Sequence, residues 1–379
     1  LSEDGLTDLV VTSPAPELVP SFTARQVRRV LDLATAVVGF ATLIVLLAVV
    51  AAIPVLQLVS LGYLLEAEGR VARSGRFLGA LPGLRPLARV GSAVIGTFLT
   101  FLPWLIARDV LHDAWLIDPA SRATRNAGII SLALGLAGLA HASLAVLRGG
   151  RLRFFFRPIA NVRWALARER SGEGLGLDRI GPAFRSLELP HYFLLGLKGF
   201  LAALVWIAIP TALLAVGPKA PPVALLGGVL LSIFVIPLPL LQANLAATGR
   251  FTAGFDVGEA WRRCRRAPLA ALIALVAALA LAIPLYLLKI ELIPRDARSF
   301  LAAIFLLTIL PTKLIAGKAW ARGGREGKAF LPLRAFAALV ALAPAGFYVL
   351  IVFLTRFVEW RGALGLFEQH AFLVPVAFY

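Results

Sequence analysis

Apolar residues fall in runs of roughly twenty, separated by short charged gaps. An α-helix rises about 1.5 Å per residue, so such a run crosses the roughly 30 Å of hydrocarbon in a bilayer. Runs of this kind occupy 89–108, 126–147, 192–216, 221–247, 268–288, 299–317 and 335–355. The first apolar stretch, 30–70, would be about 60 Å long as one helix, too much for a single crossing. Pro54 interrupts it. The pattern therefore predicts a hairpin, with segments near 30–50 and 52–70. The expected fold is an all-α integral membrane protein of about nine membrane helices.

The gaps carry the charge. With the hairpin, one side of the membrane holds 27 of the Lys and Arg residues and the other holds nine. A single crossing over 30–70 would give a weaker split of 24 to 12. Basic loops stay cytoplasmic in helical membrane proteins. The expectation is a cell (cytoplasmic or inner) membrane protein with its N-terminus in the cytoplasm.

Residues 1–29 read as a largely disordered cytoplasmic tail, rich in proline at Pro14, Pro16 and Pro20. The segment 152–191 reads as an amphipathic cytoplasmic linker. Phe155, Ile159, Val162 and Leu166 recur at helical spacing between arginines. Arg151, Arg153, Arg157 and Arg163 are the expected contacts to anionic headgroups, with Trp164 as interfacial anchor. Phe255–Arg266 reads as a second amphipathic helix, with Pro268 opening the next crossing. Residues 326–379 would be an extra helix and an outer-face tail.

The order of parts recurs, which predicts a 4+4 repeat over 30–151 and 192–325 plus the C-terminal helix. Gly69-Arg70 matches Gly249-Arg250, Pro103 matches Pro284, and the Arg148–Arg151 run matches the Arg322–Arg325 run. These anchors lie 180, 181 and 174 residues apart. Copies with the same orientation would be related by an axis along the membrane normal.

Composition fits this picture. The chain is 59% hydrophobic and only 16% charged, outside the range of soluble domains. A net charge of +17 in a soluble protein would point to nucleic acid. Here the cations cluster between apolar runs, so the expected partner is the bilayer and its anionic headgroups, with no nucleic acid. A protein partner or a second copy of the chain stays open. Cys264 is the only cysteine, which excludes an intrachain disulfide and a cysteine-built metal site. Its arginine neighbours are expected to lower its pKa. The absence of Met, even at position 1, points to a fragment or a chain that has lost its start. Residues 1–20 do not read as a signal peptide.

No P-loop, His-Glu-x-x-His or Gly-x-Ser-x-Gly motif occurs. No catalytic, cofactor-binding or metal-ligating residue is therefore assigned. Asp109, His112 and Asp113 share a helical face but define no metal geometry. Polar residues inside the apolar runs are the better signal, because they are costly in lipid. Glu66, His141, Lys198, Gln242, Asn244 and Lys313 would form a polar vestibule open to the cytoplasm, with Glu66 paired to Lys198 or Lys313. Glu68 also lies in this half. Snorkelling of the two lysines to the interface is the competing and favoured explanation.

Two stretches carry a family resemblance. One runs Ile53-Pro-Val-Leu, Leu61-Gly-Tyr-Leu-Leu, Arg70-Val-Ala-Arg-Ser-Gly and Leu81-Pro. The other runs Asn244–Phe251, Phe255–Glu259 and Arg265-Arg-Ala-Pro268. Over about half its length the chain resembles a bacterial multi-pass membrane family known as domain of unknown function 4013. The resemblance implies the architecture and transfers no site. The leading expectation is a non-enzymatic structural, assembly or lipid-organising component. The alternatives are a transporter with the cytoplasm-facing vestibule, or a membrane-embedded lipid-acting enzyme.

Overall fold

The computed structural model describes residues 22–172, 188–217, 220–283, 298–325, 329–358 and 365–368, and the single residues 174, 327, 362 and 370. All regular structure among them is helical. In chain order the elements are α1 (Phe22–Ala51), α2 (Gln57–Ser74), α3 (Leu84–Ile117), α4 (Arg122–Leu147), α5 (Leu152–Phe155), α6 (Pro158–Arg170) and α7 (Leu189–Ala215). They continue with α8 (Pro221–Val235), α9 (Leu238–Thr248), a 3-10 turn (Phe251–Phe255), α10 (Val257–Arg266), α11 (Pro268–Ala280), α12 (Arg298–Arg325), α13 (Leu331–Val358) and α14 (Gly365–Glu368).

Six described helices are long and apolar enough to cross a membrane: α1, α3, α4, α7, α12 and α13. The pair α8–α9 passes the same test together, bent by 45°. Each of the nine expected segments overlaps helical structure, with 221–247 divided between α8 and α9. Two of those helices fall short of the test. The α11 helix ends at Ala280 after 13 residues, and the part of its segment from Pro284 on lies outside the described residues. The other is α2, whose sequence is too polar. The reason is packing: α2 is surrounded by α1, α7, α9 and α12, so protein rather than lipid covers it. The chain does turn back between α1 and α2. Ser60 Oγ on α2 donates to Leu47 O on α1, and the chain reverses through Ala52–Leu56.

Small residues let the helices meet around α2. A Cβ at Gly62 would overlap Tyr192 O on α7, and one at Gly69 would overlap Ala246 O on α9. One at Gly317 of α12 would overlap Glu68 O. Backbone contact of this kind is how membrane helices gain dispersion energy where lipid offers no hydrophobic drive. By contrast, α4 packs mainly on α3, which also lies along α1, and both leave most of their apolar surface open, as lipid-facing helices do.

The expected duplication is not displayed by this packing. Gly69 lies inside α2, whereas Gly249 ends α9 with φ 68°. Gly149 and Gly150 leave α4 with φ 124° and 63°, whereas Gly323 and Gly324 lie within α12. The α4 helix packs on α3, α5 and α6, while α12 packs on α1, α2, α9 and α11. The N-terminal boundary also moves. The expected tail runs to residue 29, but helix begins at Phe22; residues 1–21 lie outside the described residues.

One end of the bundle is basic. Lys318 donates to Gly75 O at the end of α2, and Arg325 donates to Ser74 O. Arg73 donates to Ala246 O and Ala247 O near the end of α9. The α10 helix docks on α12 at this same end. Arg263 stacks over the Trp320 ring at 3.7 Å and donates to Trp320 O. Arg263 also lies against Gly323 and Gly324, which explains those glycines without a duplication.

Candidate functional site

The most unusual feature of the bundle interior is a pair of opposite charges. Glu68 on α2 is 0% exposed and Lys313 on α12 is 5% exposed. Lys313 Nζ lies 3.4 Å from Glu68 Oε2 and donates a hydrogen bond to Gln242 Oε1 on α9. Among the described residues, neither carboxylate oxygen of Glu68 has a hydrogen-bond partner. The three residues border a small cavity whose walls also include Thr312, Pro239 and Ala278, with about 20 Å³ open to the centre of a water molecule. That is room for a water or two. Glu68 lies six residues from the end of α2, about 9 Å along the axis from the basic end.

Each helix supplies its residue for a local reason. On α2, Glu68 shares a face with Leu64, Leu65, Val71 and Ala72, all buried, so the fold carries its carboxylate inward. Glu66 points elsewhere. It pairs with Arg70 at 2.9 Å, Arg73 at 3.1 Å and His191 at 3.5 Å. Gln242 sits on α9, which is buried on nearly every face and begins just after the bend from α8.

The expected vestibule is therefore only partly assembled. Gln242 and Lys313 meet, but their acidic partner is Glu68 and not Glu66. Lys198 snorkels, donating to Gly249 O at 2.9 Å. Asn244 donates to Ala253 O and holds the 3-10 turn. His141 is remote from all of these. It lies on α4, hydrogen-bonded to Phe155 O at 2.9 Å, within 3.4 Å of Asn161 Nδ2. Asn161, fully buried, also donates to Phe154 O and accepts from Arg148. This cluster ties the end of α5 to α4 and α6, and His141 serves packing there.

The expected continuous amphipathic helix breaks at Arg157-Pro158 into α5 and α6. Phe155 leaves the expected lipid-facing stripe. It is buried between α3 and α4, where a Cβ on Gly96 would overlap its ring. Ile159 is 74% exposed, and Val162 and Leu166 are exposed on the same face of α6. Arg151, Arg153, Arg157 and Arg163 are all exposed, and Trp164 is half-buried beneath Arg168.

Cys264 departs from expectation. Burial pushes its thiol up to about 11, and the neighbouring guanidinium groups do not reverse this. The α10 helix turns Cys264 toward α12, beside the cluster containing Trp320. Asp109, His112 and Asp113 are exposed on α3, and no group of three or more His, Cys, Asp or Glu among the described residues could hold a metal ion.

A second buried polar cluster went unnoticed in the sequence. His370 is inserted between α7 and α13, with Nε2 3.0 Å from Thr211 Oγ1 and Nδ1 2.8 Å from Tyr348 Oη. Its backbone belongs to the C-terminal segment, which was expected to lie on the outer face. Residues 371–379 lie outside the described residues.

These helices are those of a helical membrane protein with a buried charged pair at its centre. No family model, curated protein or solved structure matches the chain.

Proposed function

We propose that the protein is a non-enzymatic, lipid-organising component of a cell membrane, with its basic end at the cytoplasmic face. One observation carries this reading. At a single end of the bundle, exposed Arg151, Arg153, Arg157 and Arg163 accompany the exposed apolar residues Ile159, Val162 and Leu166 of α6. Cations beside an apolar helical face suit the headgroup–acyl boundary of an anionic leaflet. Near-solid packing around α2 supports a scaffold.

The test is lipid retention. The purified chain in nanodiscs of mixed phosphatidylglycerol and phosphatidylcholine should enrich the anionic lipid around itself. Replacing Arg151, Arg153, Arg157 and Arg163 with Gln should abolish most of that enrichment. Equal retention by both proteins would refute the reading.

A permease is the second reading, favoured by the bend between α8 and α9. Discontinuous helices beside buried polar groups are a feature of solute sites in transporters. The bend ends at Pro237, two residues before the cavity-lining Pro239.

A further inference from the structure

The Glu68 cavity has a chemical character beyond lipid organisation. A carboxylate removed from water without hydrogen bonds is costly, and one nearby ammonium offsets only part of that cost. Yet Glu68 borders a space of water size, and apart from the ion pair with Lys313 its oxygens accept no hydrogen bond among the described residues. Buried, paired ionisable groups within membrane helices are candidate sites for ions and proton relays.

The surroundings narrow the ligand. Leu33–Ala51 of α1 and all of α9 and α11 contain no titratable side chain. On α2, Glu66 is held by Arg70, Arg73 and His191, and Tyr63 Oη donates to Pro82 O. From α7, Lys198 is held by Gly249 O, and Tyr192 packs against Tyr63. From α12, Lys318 is held by Gly75 O, and Arg263 of α10 is held by Glu259 and Trp320 O. Among the described residues, Lys313 is thus the charge that faces Glu68. A metal cation would have to share the space with that ammonium, and an anion would have to face the carboxylate. Water and a proton meet neither obstacle.

We propose that this cavity is a hydrated proton-binding site, in which Glu68 takes the proton and Lys313 is its counter-charge. Water in the cavity donates to the carboxylate oxygens. A proton delivered through that water forms an O–H bond at Glu68, and the Glu68–Lys313 pair separates. The ammonium charge stays on Lys313, held by Gln242 Oε1. Gly317 and Gly69 set the α2 backbone against α12 and α9 at this level, so the pair's separation would loosen the centre of the bundle. The inference holds whether the protein organises lipid or moves a solute.

Infrared difference spectroscopy on the full chain in nanodiscs tests it, with pH as the variable. Acidification should produce a protonated-carboxyl band that shifts in deuterated water. Glu68→Gln should lose that band, whereas Glu68→Asp should keep one at a shifted frequency. Lys313→Met should move the titration of the band to higher pH. Chromatographic size and melting temperature identify folded variants, and the wild-type titration needs no variant. A wild-type spectrum without a pH-dependent carboxyl band would overturn the proposal, as would a band unchanged in folded Glu68→Gln. A band that does not shift in deuterated water would deny the site its water.

Discussion

Gly62 and Gly196 meet where α2 crosses α7, and each lies beneath a carbonyl oxygen one helical turn before the other. A Cβ on Gly62 would overlap Tyr192 O, and a Cβ on Gly196 would overlap Leu58 O. The contact is reciprocal and made by backbone, so neither side can yield through a rotamer change.

Gly62→Ala should therefore force the two helices apart, at an over-packing cost of about 1–3 kcal/mol. Gly128→Ala is the control. That site on α4 has only an ordinary contact to Leu111, and the helix should gain about 0.5–1 kcal/mol from the substitution. Thermal unfolding in detergent micelles, followed by tryptophan fluorescence, should show Gly62→Ala melting earlier and Gly128→Ala melting no earlier. Equal melting temperatures would mean that the crossing is looser than described.

Cys264 allows a test of the α10–α12 contact. With its thiol pushed up to about 11, on the order of one molecule in a thousand is thiolate at pH 8. Maleimide should label the folded protein slowly and the dodecyl-sulfate-unfolded protein quickly. The raised value also fixes a sign. Above pH about 9 the unfolded thiol ionises while the folded one does not, so this group lowers stability as pH rises from about 9 toward about 11. Cys264→Ser should flatten the stability profile in that window. Rapid labelling of the native chain at pH 8 would place α10 away from α12.

Sequence pattern located the long apolar helices because hydrocarbon length and charge sorting are local properties. It reached less far into the site. Glu66 and Glu68 both sit in the polar half of α2, and the choice between them needs helical geometry. Glu66 has Arg70 one turn on, a ready partner; Glu68 has Leu64, Leu65, Val71 and Ala72 at the same spacings, all apolar. That contrast was readable and marks Glu68 as the inward group. Its partners were not readable, because Gln242 and Lys313 arrive from helices far along the chain. Short matches such as Gly69-Arg70 with Gly249-Arg250 do not carry over into like surroundings in the structure. Glycine serves close packing at one position and a left-handed turn at the other. Nor did periodicity separate Phe155 from Ile159, since the break at Pro158 redirects one inward and the other outward.

Asn161 joins three elements through one amide. Its side chain donates to Phe154 O at 2.8 Å and accepts from Arg148 at 3.0 Å, with His141 beside it. Asn161→Leu would take one of two donors from Phe154 O, which keeps the Arg157 N–H, and would take from Arg148 its side-chain acceptor, a loss of about 0.5–1.5 kcal/mol for each hydrogen bond. The expected readout is local. Protease access to the α5–α6 region should rise while the melting of the α2-centred core changes little, since α5 and α6 pack on α3 and α4. His141→Gln, which keeps an amide donor for Phe155 O, should be milder. Unchanged proteolysis in Asn161→Leu would remove the cluster's anchoring role.

Val55 carries strain at the turn of the α1–α2 hairpin. Its φ is 69°, a left-handed conformation that a β-branched side chain rarely adopts, and its side chain is exposed. Such a residue costs on the order of 1–3 kcal/mol in the folded state. The cost is met here by geometry: Pro54 fixes the preceding φ, and the reversal must fit between Ser60 and Leu47, which are already bonded across the hairpin. Val55→Gly removes the Cβ clash but adds freedom to the unfolded chain, which offsets part of the gain. Val55→Asn tolerates the left-handed region with less added freedom, and should be the more stable of the two. Both are expected to melt above the parent chain in the same micelles, and a drop in either would show that the turn is not strained at this residue.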